Sequence, residues 1–226
     1  MHRIAGVLRH PRSTMAALVA APAFLSTWAL LLIVWMVPAV WLLSTQVGRQ
    51  AVVDERVRVI EAFGGSIDDG AYTRLQASPP WLTYFTSGGR LLLAPPITLL
   101  AACGVMALAR SDRGTISLPA AMAVSVHAST VLVIQELAAT PLHYLRESIT
   151  SPTNLGLILP SFGEGSLPAR LFGSIELFGL WWLWLLAVGV AASTGAPARR
   201  YFVRLLVVYV GIAALLAAVI TVAGGS

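Results

Sequence analysis

The chain has 226 residues, of which 57% are hydrophobic and 11% are charged, and its mean hydropathy is +0.79. Soluble domains are nearer half apolar and a quarter charged, so this composition excludes a water-soluble globule. The apolar residues occur in long blocks, which also excludes a disordered or collagen-like chain. The composition predicts an all-α integral membrane protein.

All fifteen basic residues are arginine, and the formal net charge is +5 with a pI near 10.1. Without lysine, the chain cannot use a P-loop lysine, Schiff-base chemistry or a lysine general base. A high pI is shared by nucleic-acid-binding proteins and by membrane proteins with cytoplasmic arginines. We favour the second class and expect no nucleic-acid partner.

Five apolar stretches are long enough to cross a bilayer, which takes about 20 mostly apolar residues. The predicted bundle of five transmembrane helices, in one domain over residues 1–226, has spans near 20–44, 91–109, 115–137, 171–193 and 203–224. Long loops are expected at 45–90 and 138–170. The first apolar block is longer than that of a signal peptide, so we expect an uncleaved anchor.

The first long loop begins with an amphipathic pattern. Val53, Val57 and Ile60 recur at helical spacing within residues 50–63, and Gly64 and Gly65 follow. This pattern predicts a short helix, which we place on the outer membrane surface in preference to a partner-docking role. The second long loop is rich in proline and glycine, which favours an irregular cap over the bundle.

The arginine distribution sets the predicted orientation. Eight arginines fall in three short segments with a single acid, Asp112, whereas the other seven share two long loops with seven acids. The eight are Arg3, Arg9, Arg12, Arg110, Arg113, Arg199, Arg200 and Arg204. The positive-inside rule therefore predicts a cytoplasmic N-terminus and an extracytoplasmic C-terminus.

Two carboxylates fall at predicted membrane depth, Glu136 near the end of the third span and Glu176 near the start of the fourth. Ionisable groups are costly inside a bilayer, which makes both of them candidate functional residues. They could form a proton-carrying or cation-binding pair, in a cluster with Arg90 or Arg170. The alternative, which we favour, is structural: an ion pair between helices, or side chains that reach to the interface.

Tryptophans crowd the predicted fourth span at Trp181, Trp182 and Trp184, and Trp28 and Trp35 share one face of the first. Tryptophan within a membrane favours packing, inside the bundle or against another protein, over cofactor binding.

His127 lies in mid-span, and no second histidine or carboxylate lies one helical turn away. We expect a hydrogen-bonded packing histidine rather than a ligand or a proton relay. The single cysteine, Cys103, excludes an internal disulfide and is expected to be a small buried hydrophobe. The sequence contains no G-x-S-x-G, H-E-x-x-H or phosphate-binding motif. We expect no catalysis, cofactor, metal or soluble small-molecule substrate.

Short motifs in the C-terminal half resemble those of a known family. They are Thr153-Asn154-Leu155-Gly156, Ser174-Ile175-Glu176-Leu177-Phe178-Gly179-Leu180-Trp181, Ala187-Val188-Gly189-Val190 and Arg199-Arg200. Together with His10-Pro11-Arg12 and the five-span layout, they resemble the Yip family of Ypt/Rab-interacting membrane proteins, specifically its bacterial branch. That family usually has aspartate where Glu176 stands.

The resemblance implies an organising role. Eukaryotic members of the family are adaptors that bind small GTPases and shape membranes, whereas bacterial relatives look like accessory membrane proteins. We therefore expect a non-enzymatic accessory or scaffolding subunit of the bacterial inner membrane. It would contact the lipid bilayer, other integral membrane proteins or itself, and anionic lipid through cytoplasmic arginines.

The candidate functional residues are Glu136, Glu176, Phe178, Trp181, Trp182, Arg199 and Arg200. The alternative function is a small transporter or permease component that moves a proton, an ion or a lipid at the level of Glu136 and Glu176.

Overall fold

The computed structural model describes residues 2–77, 79–158 and 166–223, and all regular structure in these ranges is helical apart from one isolated bridge. The helices are α1 His2–Arg9, α2 Pro11–Ala20, α3 Leu25–Ser44, α4 Gln46–Ala62, α5 Asp69–Gln76, α6 Pro80–Ser111, α7 Leu118–Ala128, α8 Thr130–Leu145, α9 Leu155–Ile158, α10 Leu167–Gly173, α11 Leu177–Thr194 and α12 Ala198–Ala223. Pro160, Gly163 and Gly165 of the predicted irregular cap lie outside the described residues.

Five of the described helical segments are long and apolar enough to cross a membrane, which confirms the predicted all-α class and the number of spans. They are Leu25–Ser44, Leu91–Ser111, Leu118–Leu145, Leu177–Thr194 and Ala198–Ala223. The fourth begins six residues after the predicted start at residue 171, because α10 ends at Gly173 and an extended segment follows it. The fifth begins at Ala198, so Arg199 and Arg200 belong to its first turn.

The segment before the first span is folded rather than a free arm. Pro11 opens α2 at a position where its missing N–H costs nothing. At the other end, the Arg3 guanidinium donates a 3.0 Å hydrogen bond to the carbonyl of Ala21, which has no partner in the helix. Met15 and Leu18 of α2 are fully buried. The two short helices therefore supply core side chains.

The chain divides into two compact units. Unit 1 comprises Met1–Trp35, Arg90–Gln135 and Phe178–Val208. Unit 2 comprises Met36–Gly89, Glu136–Leu177 and Tyr209–Ser226.

Small residues let the helices of unit 1 approach closely. A Cβ atom added to Gly189 of α11 would overlap the side chain of Val124 on α7. Such contact gives dispersion attraction, which drives helix association where lipid surrounds the protein. Trp28 and Trp35 pack against a cluster of Leu31, Val126 and Val133, which confirms the packing role predicted for these two tryptophans.

His127 is completely buried in unit 1, and both of its ring nitrogens have partners. Nδ1 lies 2.8 Å from the carbonyl oxygen of Ala123, which can only accept, so this nitrogen carries the proton. Nε2 lies 3.3 Å from the hydroxyl of Thr27. The prediction of a hydrogen-bonded packing histidine is confirmed. Cys103, however, is exposed, so the expectation that it would be buried was wrong: its neighbour Ala102 takes the core position.

Most of the predicted loop at 45–90 is helical. The expected helix is present as α4, which the Thr45 hydroxyl caps by accepting a 3.0 Å hydrogen bond from Gly48 N. Its predicted apolar stripe is not buried as one face, since Val53 is buried whereas Ile60 is exposed. Gly64 ends α4 with φ of +80°, a conformation that glycine adopts readily. α5 packs on α4 through the Tyr72 hydroxyl, which donates to Asp54 at 2.9 Å. That hydrogen bond raises the pKa of Tyr72.

The burial of α2 can be tested by truncating Leu18, which is fully buried. We expect Leu18→Ala to lower the free energy of unfolding by about 2–5 kcal/mol, because the side chains around the resulting cavity lose their packing contacts. Leu100→Ala is the control, since Leu100 is 69% exposed, and we expect a change within about 0.5 kcal/mol. Unfolding by SDS in mixed micelles, followed by circular dichroism, measures both. Equal losses would contradict a core role for α2.

Candidate functional site

An extended segment before α11 pairs with the chain just before α9. Leu155 N donates to the carbonyl of Ile175 at 2.9 Å, and Leu177 N donates to that of Thr153 at 3.2 Å. Between these two bonds, Asn154 and Glu176 face each other as an antiparallel bridge. Buried backbone N–H and C=O groups need hydrogen-bond partners. This pairing supplies partners for backbone groups in the non-helical stretch between α10 and α11.

The side chain of Glu176 reinforces this pairing. Its Oε2 accepts hydrogen bonds from the hydroxyls of Ser151 at 2.9 Å and Thr153 at 2.8 Å. Its backbone N–H donates to the Tyr209 hydroxyl at 3.1 Å, and Tyr209 in turn donates to the carbonyl of Ser174 at 3.2 Å. We call Ser151, Thr153, Glu176 and Tyr209 the Glu176 cluster.

Asn154 and Gly156 explain why the first motif has its particular residues. Asn154 is 7% exposed, and its amide donates to the carbonyl of Ser151 at 2.8 Å while its Oδ1 accepts from Leu157 N at 2.8 Å. A Cβ atom added to Gly156 would lie 2.9 Å from the backbone nitrogen of Gly173. Only glycine lets the two segments approach this closely.

Glu136 lies on α8 and is half-buried, and its backbone carbonyl accepts a 2.8 Å hydrogen bond from the Thr140 hydroxyl. Its pairing with Glu176 stays a prediction. Arg170 lies half-buried on α10, and its place in a carboxylate cluster also stays a prediction. The side chain of Arg90 lies outside the described part of the structure.

The aromatic residues of α11 divide between core and surface. Phe178 and Trp181 form a tilted ring pair with centroids 6.1 Å apart, and Trp181 is 39% exposed. We call these two residues the aromatic pair. Trp182 packs against the core of unit 1, and its buried indole N–H has no acceptor among the described residues. Because α11 begins at Leu177, Trp181 lies in its second turn rather than in mid-span as predicted.

The adjacent residues Arg199 and Arg200 have different environments. Arg200 lies 2.9 Å from the carboxylate of Asp112, and Arg204 lies 3.3 Å from its other oxygen. Hydrogen bonding to Tyr201, followed by the charges of Arg200 and Arg204, lowers the pKa of Asp112 against the opposing effect of burial. Arg199 is also exposed, but it lines a cleft.

The sequence contains a signal for the Asp112 pairing. Asp112 is the single acid among the eight arginines of the predicted cytoplasmic segments. Its side chain is only 9% exposed, and such an acid needs cationic partners.

Comparison with known protein families adds one finding. A model of the Yip1 domain matches residues 5–221. The chain belongs to the Yip1 family. No curated protein and no solved structure was found to match it.

Membership of the Yip1 family confirms the resemblance inferred from the short motifs. In this Yip1 protein two of those motifs lie against each other, since Thr153 and Asn154 pair with the segment that contains Glu176. The motif residues therefore build the Glu176 cluster. The chain is thus a multi-pass Yip1-domain membrane protein, and at least part of its family motif serves to join two segments of the fold.

The role of the Glu176 carboxylate can be tested by hydrogen exchange. Hydrogen bonds to a charged group contribute about 1.5–3 kcal/mol each, and for this half-buried carboxylate we take the low end. Glu176→Ala removes two such hydrogen bonds and should therefore speed exchange of the Leu155 and Leu177 amides by about a hundredfold. Glu176→Gln should have a smaller effect, because its amide oxygen still accepts.

Glu61→Ala is the matched control, since Glu61 is an exposed carboxylate of the same unit. Exchange at Leu155 and Leu177 should not change in this variant. If the two alanine variants exchange alike, the carboxylate does not hold the pairing.

The ion pairs of Asp112 with Arg200 and Arg204 should make stability depend on pH in the acid range. Since the pKa of Asp112 is lower in the folded chain, the folded state binds fewer protons. The stability that Asp112 contributes is therefore complete above pH 3.8, its usual pKa. This stability is lost as the pH falls through the lower pKa of the folded chain. We expect wild type to melt above Asp112→Asn at pH 7 and pH 5, with a smaller gap below 3.8. Asp69→Asn, at an exposed position, should melt like wild type, and a pH-independent gap would refute the assignment.

Proposed function

We propose that this chain is a non-enzymatic membrane protein of the bacterial inner membrane that organises other integral membrane proteins or copies of itself. Its Yip1 domain supports this proposal, because the family resemblance implies adaptors and accessory proteins rather than catalysts. Five apolar helical segments agree with such a role.

The aromatic pair is the observation that carries the proposal. Most of the C-terminal half of α11 is buried, whereas Trp181 near its start is 39% exposed and forms a tilted ring pair with Phe178. A large aromatic surface with few rotatable bonds is typical of contact sites between proteins. A rigid aromatic surface can make closely packed dispersion contacts with a complementary protein surface. We therefore assign the aromatic pair to contact with a neighbouring membrane protein.

The alternative, a transporter or permease component, depends on carboxylates that can exchange a proton or bind an ion. The Oε2 atom of Glu176 accepts hydrogen bonds from Ser151 and Thr153. These two hydrogen bonds hold the carboxylate against the segment at 151–153, which favours a structural role. The arrangement therefore supports the organising function over transport.

A comparison of two tryptophan variants tests the proposal. Tagged wild type, Trp181→Ala and Trp81→Ala are each purified from native membranes in mild detergent, and co-purifying proteins are quantified by mass spectrometry. Trp81 is 65% exposed on α6, which makes it a matched control. We expect a stoichiometric membrane-protein partner, or a second copy, that Trp181→Ala loses at least about tenfold and Trp81→Ala retains.

Flux into proteoliposomes provides the second measurement. The organising function predicts no flux of protons or small ions above that of empty liposomes. Flux that Glu176→Gln abolishes would favour the transport alternative instead. Identical partner recovery from all three proteins would refute the role of the aromatic pair.

A further inference from the structure

Unit 1 contains a cleft of about 420 Å³ between α2, the C-terminal half of α11 and the start of α12. This volume falls within the range of about 300–1,000 Å³ that is typical of ligand sites. The cleft belongs to neither the Glu176 cluster nor the Asp112 ion pairs, and the proposed function does not use it.

One wall of the cleft is an apolar stripe on α11. Trp184, Val188, Ala191 and Ala192 line it, and their spacing of four, seven and eight residues places them on one helix face. At a rise of 1.5 Å per residue the stripe is about 12 Å long. The ring of Trp184 is held by an edge-to-face contact with Phe202, with centroids 5.6 Å apart. The wall is therefore long, narrow and fixed.

The polar part of the cleft carries two positive charges. Arg12 of α2 and Arg199 of α12 both line it, and both side chains are exposed. Among the described residues no carboxylate pairs with either of them, since Asp112 pairs with Arg200 and Arg204. Two uncompensated guanidinium groups next to an apolar stripe match a ligand that has an anionic head and a hydrocarbon tail.

We propose that this cleft binds one anionic phospholipid, with its phosphate at Arg12 and Arg199 and an acyl chain along the α11 stripe. Guanidinium groups bind phosphate oxygens in bidentate geometry, and the N-terminal end of the 26-residue α12 adds favourable partial charge. Two arginines favour a lipid with net negative charge over a zwitterionic one. The predicted orientation places this cleft in the cytoplasmic leaflet, where anionic lipids attract arginine.

This site does not depend on the proposed function, because a lipid can bind whether or not the chain organises other proteins. The two tests are also separate. Loss of lipid affinity is measured on the purified chain, whereas partner recovery depends on Trp181, which does not line the cleft.

Native mass spectrometry of the full chain in detergent, titrated with defined lipids, tests the proposal. Phosphatidylglycerol and phosphatidylcholine of equal chain length are compared on wild type and on Arg12→Gln/Arg199→Gln. We expect wild type to bind phosphatidylglycerol at least about tenfold more tightly than phosphatidylcholine, and the double variant to lose that preference. The single variants, each at an exposed position, replace the double variant if it does not fold.

Arg9→Gln/Arg110→Gln is the control, because it removes the same charge at exposed positions outside the cleft. Its affinity for phosphatidylglycerol should stay within about threefold of wild type. Ala191→Phe should weaken lipid binding by filling the stripe while both arginines remain.

Three results would overturn the proposal. The first is equal binding of the two lipids by wild type. The second is equal loss in the cleft and control variants, which would indicate general surface charge. The third is displacement of the lipid by inorganic phosphate at equal concentration, which would indicate a site for free anions.

Discussion

Hydrocarbon offers no hydrogen bonds, so a chain that crosses a bilayer must satisfy its polar groups from within. Two of the described polar sites of this protein illustrate that constraint, whereas the buried Trp182 indole N–H has no acceptor among the described residues. His127 has a carbonyl and a hydroxyl on its two ring nitrogens. The backbone that leaves helical form before α11 is paired with the segment at 153–155.

Two acidic residues meet the same constraint in different ways. Asp112 is paired with the guanidinium groups of Arg200 and Arg204 in addition to its hydrogen bond with Tyr201. Glu176 accepts hydrogen bonds from neutral hydroxyls and belongs to a backbone pairing. Replacing either acid by its amide should therefore have unequal effects: an amide keeps an acceptor for hydroxyls, but it cannot replace the charge that two arginines require.

The number of spans could be predicted because hydropathy is a local property: each apolar block contains the information for its own helix. The start of α11 could not, since Ile175 and Glu176 precede the helix in a pairing with residues at least 20 positions earlier. The Glu176 partners were missed for the same reason. Ser151 is an ordinary polar residue in a predicted loop, and although Thr153 opens one of the short motifs, only the fold brings the two hydroxyls to the carboxylate.

The N-terminal segment shows a different limit. Its arginines indicated a short cytoplasmic arm, but Val7, Met15 and Leu18 are buried, and the polar residues lie on the other faces of α1 and α2. A hydropathy average over the segment does not distinguish the buried face of each helix from its polar faces. The different partners of Arg199 and Arg200 likewise depend on the helix, because consecutive side chains point about 100° apart once α12 begins.

Gly189 has a consequence for how this protein can change over evolutionary time. Since even one methyl group there would overlap the Val124 side chain, α7 and α11 can keep their present spacing only while this position remains glycine or Val124 gives way to a smaller residue. Positions such as Leu100 and Val207, which are 69% and 66% exposed, accept any side chain that is soluble in lipid. The sequence should therefore drift freely around the outside of its helices, while the smallest residue in the protein is among the hardest to replace.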